Sequence, residues 1–251
     1  MLKIGWFSSG NGIGSLQLLS KVNQAILNNK LNASIEFIFT NKDPEESAGA
    51  AGFYKYGTSL NIPFINISSA KFKKKYNVRK FDEIRKLYDD EIITAIKTYR
   101  IDIIVMAGYM LFIDKNLCNK YVVINLHPAP PKGPNGTWQQ IIKKLIITNS
   151  LYGGAQIQIA TTNRDKGPII SYCTFPIKNN TVYANLWDKI PDKNLLQTSN
   201  LFHQIRKDTL IREPHLLIET LKSIESQQIP LHSKSCHAGI CLNNKIAEVL
   251  E

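Results

Sequence analysis

The chain has 251 residues, and its 31 Lys and Arg outnumber its 20 Asp and Glu to give a formal net charge of +11. That length sustains one good-sized α/β domain whose core needs neither metal nor disulfide, and the charge favours anionic partners such as phosphates. Apolar runs such as 103–107 are far too short to cross a bilayer, and Met1-Leu2-Lys3-Ile4-Gly5 reads as a strand rather than a secretion signal, so a soluble cytoplasmic protein with no membrane partner is expected.

In chain order, residues 2–8 form a short apolar strand running into Ser9-Gly10-Asn11-Gly12-Ile13-Gly14-Ser15, after which Leu16, Leu18, Leu19 and Val22 mark an amphipathic helix. A strand at 33–40, a helix of small residues at 45–56 and a strand at 63–67 follow. The cationic stretch Lys71-Phe72-Lys73-Lys74-Lys75, with Arg79 and Lys80, reads as a solvated loop in preference to a nucleic-acid patch. Residues 82–99 repeat Ile84, Leu87, Tyr88, Ile92, Ala95, Ile96 and Tyr99 at helical spacing, and strands at 103–107 and 122–126 end at Gly108 and at His127-Pro128. The loop 129–136 leads into a helix at 138–147. Strands at 155–160 and 169–175 are joined by the tight loop 161–168, which predicts antiparallel pairing. Residues 178–200 read as polar and irregular, 201–229 as helical with a kink at Pro214, and the remainder after Pro230 as a weakly patterned tail. Cys118, Cys173, Cys236 and Cys241 have no framework spacing and are expected to be reduced; Cys236, His237 and Cys241 lack the paired short spacings of a zinc site, so no metal is expected.

Strands alternating with helices at this pitch predict an α/β, doubly wound, mostly parallel sheet carrying a C-terminal helical extension, divided as 1–177 and 178–251. The apolar residues of 201–229 suffice to pack on their own domain or on a twin, with a lean to a homodimer. Ligands of such sheets gather at the carboxyl ends of the strands, where the glycine turn and the 125–127 segment both fall.

In Ile124-Asn125-Leu126-His127-Pro128 the two-residue period of a strand sends Asn125 and His127 to one face, and Pro128 biases His127 to extended angles. Two such donors side by side suit an oxygen that turns negative during acyl transfer. Arg164-Asp165-Lys166-Gly167-Pro168 is an ordinary turn on its own; functionally, Asp165 is a carboxylate able to fix the charge of the imidazole and relay a proton through water.

On these residues the chain resembles the glycinamide ribonucleotide transformylase family over residues 1 to about 177. The most specific elements are Ala107-Gly108-Tyr109-Met110, Asn125-Leu126-His127-Pro128 and Asp165-Lys166-Gly167-Pro168, in that order. The resemblance implies a Rossmann-like formyltransferase fold and direct attack of a substrate amine on the formyl carbon of 10-formyltetrahydrofolate, with no metal. It implies that Asn125 and His127 polarise the formyl oxygen while Asp165 supports the histidine and the proton relay. Met110, Leu111, Phe112 and Ile113, with Thr162 and Arg164, match the walls of the pterin pocket; Gly10, Asn11 and Gly12 match the loop that holds a ribose phosphate at a helix start; Arg85 is similar to a basic residue that reaches the same phosphate. The small-molecule partners implied are therefore a folate and a phosphorylated amine. Lys42 is similarly placed but matches less closely.

The chain departs from the family pattern in a phosphate loop one residue longer, in Leu111 where many relatives carry Arg, in the stretch from Ala129 to Trp138, and in the extension from about Asn179. An amino-sugar nucleotide as acceptor and simple hydrolysis of formyltetrahydrofolate stay open. A nicotinamide-dependent oxidoreductase is disfavoured, because Gly10, Gly12 and Gly14 have the wrong spacing and no acidic residue closes the second strand at Thr40-Asn41-Lys42. A non-catalytic folate or nucleotide sensor has no need of Asn125, His127 and Asp165 together.

Overall fold

The structure, a computed structural model, describes residues 1–163, 165–178, 181–189, 193–231 and 239–250, with side chains omitted at 193–195. The chain divides into two compact units, one formed by Met1–Asn125, Ile159–Gly167 and Leu221–Ser233, the other by Leu126–Gln158, Pro168–Thr220 and Lys234–Glu251.

The first unit is built on parallel strands β1 (Leu2–Ser8), β2 (Ala33–Thr40), β3 (Phe64–Asn66), β4 (Ile103–Met106) and the first residues of β5 (Val123–His127), ordered β3-β2-β1-β4-β5. Continuous apolar character along β1 and β4 fits strands covered on both faces: Ile4, Trp6, Phe7 and all of 103–105 are fully buried. Helices α1 (Ile13–Leu27), α2 (Ala48–Thr58), α3 (Ser69–Lys75), α4 (Arg85–Ile96) and α5 (Lys115–Lys120) make the crossovers. Ser47 and Ser68 start α2 and α3 by accepting the Ala50 and Lys71 N–H groups through their hydroxyls. Phe7, Phe37, Phe39, Tyr88, Tyr109, Ile92 and Leu117 form one core cluster.

Several readings change here. The lysine-rich stretch is the helix α3, not a loop; Ser68 caps it and Phe72, 7% exposed, anchors it against Tyr88 with ring centroids 5.1 Å apart. The helix expected at 45–56 begins instead with a short 3-10 turn at Pro44–Glu46, because the Ser47 cap sets the α-helical start one residue later. Residues 82–99 likewise open with a 3-10 turn at Phe81–Ile84 before α4.

The second unit carries α6 (Trp138–Ile147), β6 (Tyr152–Ile159), β7 (Ile169–Pro176), α7 (Thr181–Trp187), most of α8 (Asn200–Glu225), β8 (Ile240–Cys241) and α9 (Asn243–Leu250). β6 and β7 pair antiparallel, as the tight loop between them predicts, and β7 pairs parallel with β8. The segment read as irregular contains α7, whose Tyr183 is buried and donates its hydroxyl to Asp208 at 2.6 Å. The segment read as a weak tail contains β8 and α9, tied down where Asn243 Oδ1 accepts the Thr174 N–H at 2.8 Å. α8 stays helical through Pro214. Its apolar residues Leu201, Phe202, Ile205, Leu216, Leu217, Leu221 and Ile224 are each at most 5% exposed. Cys236 and His237 lie outside the described residues, and no described helix is long and apolar enough to cross a membrane.

Candidate active site

Strand register places the first unit's polar residues. Ile65, Phe39, Phe7, Met106 and Asn125 pair in one row across β3, β2, β1, β4 and β5, so half-buried Asn125 stands near the carboxyl edge of the sheet. Beyond that row the chain turns through Ser9-Gly10, Asn41 and Gly108-Tyr109-Met110.

These turns are bound together by Ser9, which is fully buried. Its hydroxyl donates to Asn41 Oδ1 at 2.6 Å and accepts the Met110 N–H at 2.8 Å, while its own N–H donates to the Gly108 carbonyl at 3.0 Å. Asn41 Nδ2 continues the chain of bonds to Ser69 Oγ at 3.1 Å. One serine thus joins the ends of β1, β2 and β4. Sequence reasoning missed it because it lies inside a turn read only for its glycines; the signal was a small hydroxyl residue followed by Gly at a buried strand end.

Gly10 is in the left-handed region at φ +61°, and a side chain there would strike Phe53. Gly12 starts α1 in an extended conformation with no side-chain cap and open space around it. The first N–H groups of that 15-residue helix therefore face no capping side chain, which suits an anion at the positive end of the helix. Gly108, at φ +71°, brings the end of β4 onto Ser15 in the first turn of α1.

The 110–113 segment runs from exposed Met110 through half-buried Leu111 and Phe112 to buried Ile113. Arg85 is neither solvent-facing nor free-standing. It opens α4 half-buried, with its guanidinium carbon 4.6 Å from the Phe81 ring centroid and its Nη1 enclosed with no hydrogen-bond partner among the described residues. One turn on, Asp89 is fully buried and accepts the Asp114 N–H. Burial lifts its carboxyl to about 6, against the opposing pull of that N–H and of Arg85. The Arg85/Asp89 spacing of four residues on one helix face was the signal available in the sequence.

Asp165 belongs to the same unit as Asn125. Its loop leaves β6 where the Ala160 N–H donates to the carbonyl of Val123 on β5 at 2.7 Å, and Asp165 itself is half-buried at φ +49°, a conformation that Asp tolerates in turns. Thr162 is exposed in that loop, and Arg164 lies outside the described residues.

His127 falls in the second unit, 3% exposed, with Nε2 3.3 Å from the Pro134 carbonyl oxygen. The loop that follows folds back on itself through Ala129 N–H to His127 O at 2.9 Å and Gly133 N–H to Pro130 O at 2.8 Å. It ends at Thr137, which caps α6 reciprocally with Gln140. Trp138 then lies under the Arg206 guanidinium at 4.5 Å, and Arg206 pairs with buried Glu213 at 3.1 Å. Of the expected site, the structure gathers Gly10–Gly12, Arg85, 110–113, Asn125, Thr162 and Asp165 into the first unit and His127 into the second.

Parallel strands flanked by helices, with a glycine turn at a helix start and polar residues at the strand ends, define the open α/β class of ligand-binding proteins. Residues 3–197 match the formyl transferase family, and the chain belongs to it. It is 24% identical over 189 residues to the chloroplastic phosphoribosylglycinamide formyltransferase of Vigna unguiculata, covering 73% of this chain and 54% of that one. It is 27% identical over 173 residues to the phosphoribosylglycinamide formyltransferase of Escherichia coli (strain K12), covering 67% and 70%. The chain thus spans about half the length of its plant relatives. Among solved structures, the phosphoribosylglycinamide formyltransferase of Coxiella burnetii in complex with CHES aligns at a TM-score of 0.66 and 20% identity over 96% of this chain and 98% of that one. A formyltetrahydrofolate deformylase from Pseudomonas syringae pv. tomato aligns at 0.65 and 15% over 90% and 62%.

Proposed function

We propose that this protein transfers a formyl group from 10-formyltetrahydrofolate to the primary amine of glycinamide ribonucleotide, a step of purine biosynthesis in a soluble cytoplasmic setting. The observation that carries the reading is the position of Asn125 at the carboxyl edge of the sheet, in one unit with an uncapped helix start and with the Asp165 loop, in a chain matched to the formyl transferase family. The names of the plant and bacterial relatives support the acceptor.

In this reading the catalytic machinery belongs to 1–177. The amine nitrogen attacks the formyl carbon, and the carbonyl oxygen becomes an oxyanion that Asn125 and His127 stabilise with hydrogen bonds. Asp165, through a water, takes the proton leaving the amine and passes it toward N10 of the folate as the C–N10 bond breaks. The products are the formylated amine and tetrahydrofolate. The pterin lies against 110–113 and the Thr162/Arg164 loop. The acceptor phosphate sits at Gly10, Asn11 and Gly12, with Arg85 adding positive charge. No metal takes part.

The test is incubation of the purified protein with 10-formyltetrahydrofolate and glycinamide ribonucleotide, with amino-sugar nucleotides as competing acceptors. His127→Ala should lower formyl transfer at least ~100-fold while folate affinity stays nearly intact. Formate release that needs no amine would refute transfer and indicate a hydrolase, and folate binding without any turnover would leave only a sensor.

A further inference from the structure

A fully buried carboxylate is kept only where its neighbours offset the loss of water, and Asp89 is 0% exposed on α4, next in the chain to Tyr88 of the core cluster. Its Oδ2 accepts the Asp114 N–H at 2.5 Å, so it holds the residue that closes the 110–113 segment and caps α5. At the other end of that segment Tyr109 is buried, close enough to Asp89 and Arg85 that both charges act on its hydroxyl. A parallel tie, Asn116 Nδ2 to Asp90 Oδ1 at 2.8 Å, joins α5 to α4. Arg85 lies one turn before Asp89 on the same helix, and its charge acts on the carboxylate.

We propose that Asp89 is a positioning residue for the one-carbon donor: by accepting the Asp114 N–H it fixes the 110–113 backbone against α4. The role rests on the reading of 110–113 as the pterin wall. A helix carboxylate that touches no substrate thereby sets the shape of a pocket built from main-chain groups.

Two variants separate the role from simple packing. Asp89→Leu removes the acceptor, whereas Asp89→Asn keeps an oxygen able to take the same N–H. In ligand-free protein, Asp89→Leu should speed amide hydrogen exchange at Asp114 at least ~10-fold while amides of β1 and β2 are unmoved. It should also raise the dissociation constant of a 5-deazafolate analogue about 10-fold with kcat changed less than about 3-fold. Asp89→Asn should stay within about 3-fold of the parent in each measurement. Unchanged exchange at Asp114 in Asp89→Leu, or equal loss in both variants, overturns the clamp. Failure of the parent protein itself to bind the folate analogue overturns the pterin-wall reading and this role with it, and is told apart because the exchange measurement contains no ligand.

Discussion

Replacing Ser9 with Ala tests the bond web that joins three strand ends. The hydroxyl has two partners, Asn41 Oδ1 at 2.6 Å and the Met110 N–H at 2.8 Å, and Ser9 has no solvent exposure. Alanine fits the space, so the cost is that of leaving a buried acceptor and a part-buried donor unmet. At ~1–3 kcal/mol for each orphaned group, and with Asn41 keeping its Nδ2 bond to Ser69, the expected loss is about 2–4 kcal/mol. Urea unfolding measures the total, and hydrogen exchange at the Met110 amide localises it. Ser34→Ala, which removes only a bond to Glu36 on the rim of β2, is the control and should cost no more than about 0.5 kcal/mol. A Ser9→Ala loss no larger than the control, or a Met110 amide as protected as before, would show that the web does not tie the strand ends together.

Gly108→Ala forces a side chain into the left-handed region and sets its Cβ 2.4 Å from Ser15 Oγ; a loss of roughly 1–3 kcal/mol is expected. Adding Ser15→Ala should recover the steric part and leave about 1 kcal/mol for the backbone, so strict additivity of the two changes in unfolding experiments would refute the contact. Stability should also depend on pH through Asp89, which faces Arg85, Tyr88 and Asp90 from its own helix and Tyr109, Asp114 and Cys118 from other segments. Its folded carboxyl titrates near 6, above the ordinary 3.8, so the folded chain holds this proton more tightly than the unfolded one. The contribution is therefore greatest below about pH 4, falls as pH rises through 4 to 6, and amounts to about 3 kcal/mol across that window. Asp89→Asn should lack that slope, and a parent-minus-variant difference that stays flat from pH 4 to 7 would count against it.

The formyl transferase elements most legible in the sequence were those set by local pattern. Apolar runs gave β1, β2, β4 and β5, Gly10 and Gly12 marked the turn into α1, and the short loop after β6 implied its antiparallel partner. Asn125 and His127 fell to one strand end by alternation alone. Patterns diluted by charge were lost: α3 was hidden by its lysines because only Phe72 faces the core, and α9 because little beyond Ile246 is buried. Nothing local announced that Ser9 would meet Asn41 and Met110, or that Asp89 would bury its charge beneath Asp114, since these contacts span 25 to 101 residues of chain. Periodicity fixes which face of an element is apolar. Which polar groups are then shut away from water together is decided by the order of the strands and the helices laid over them, and that order exists only in the folded chain.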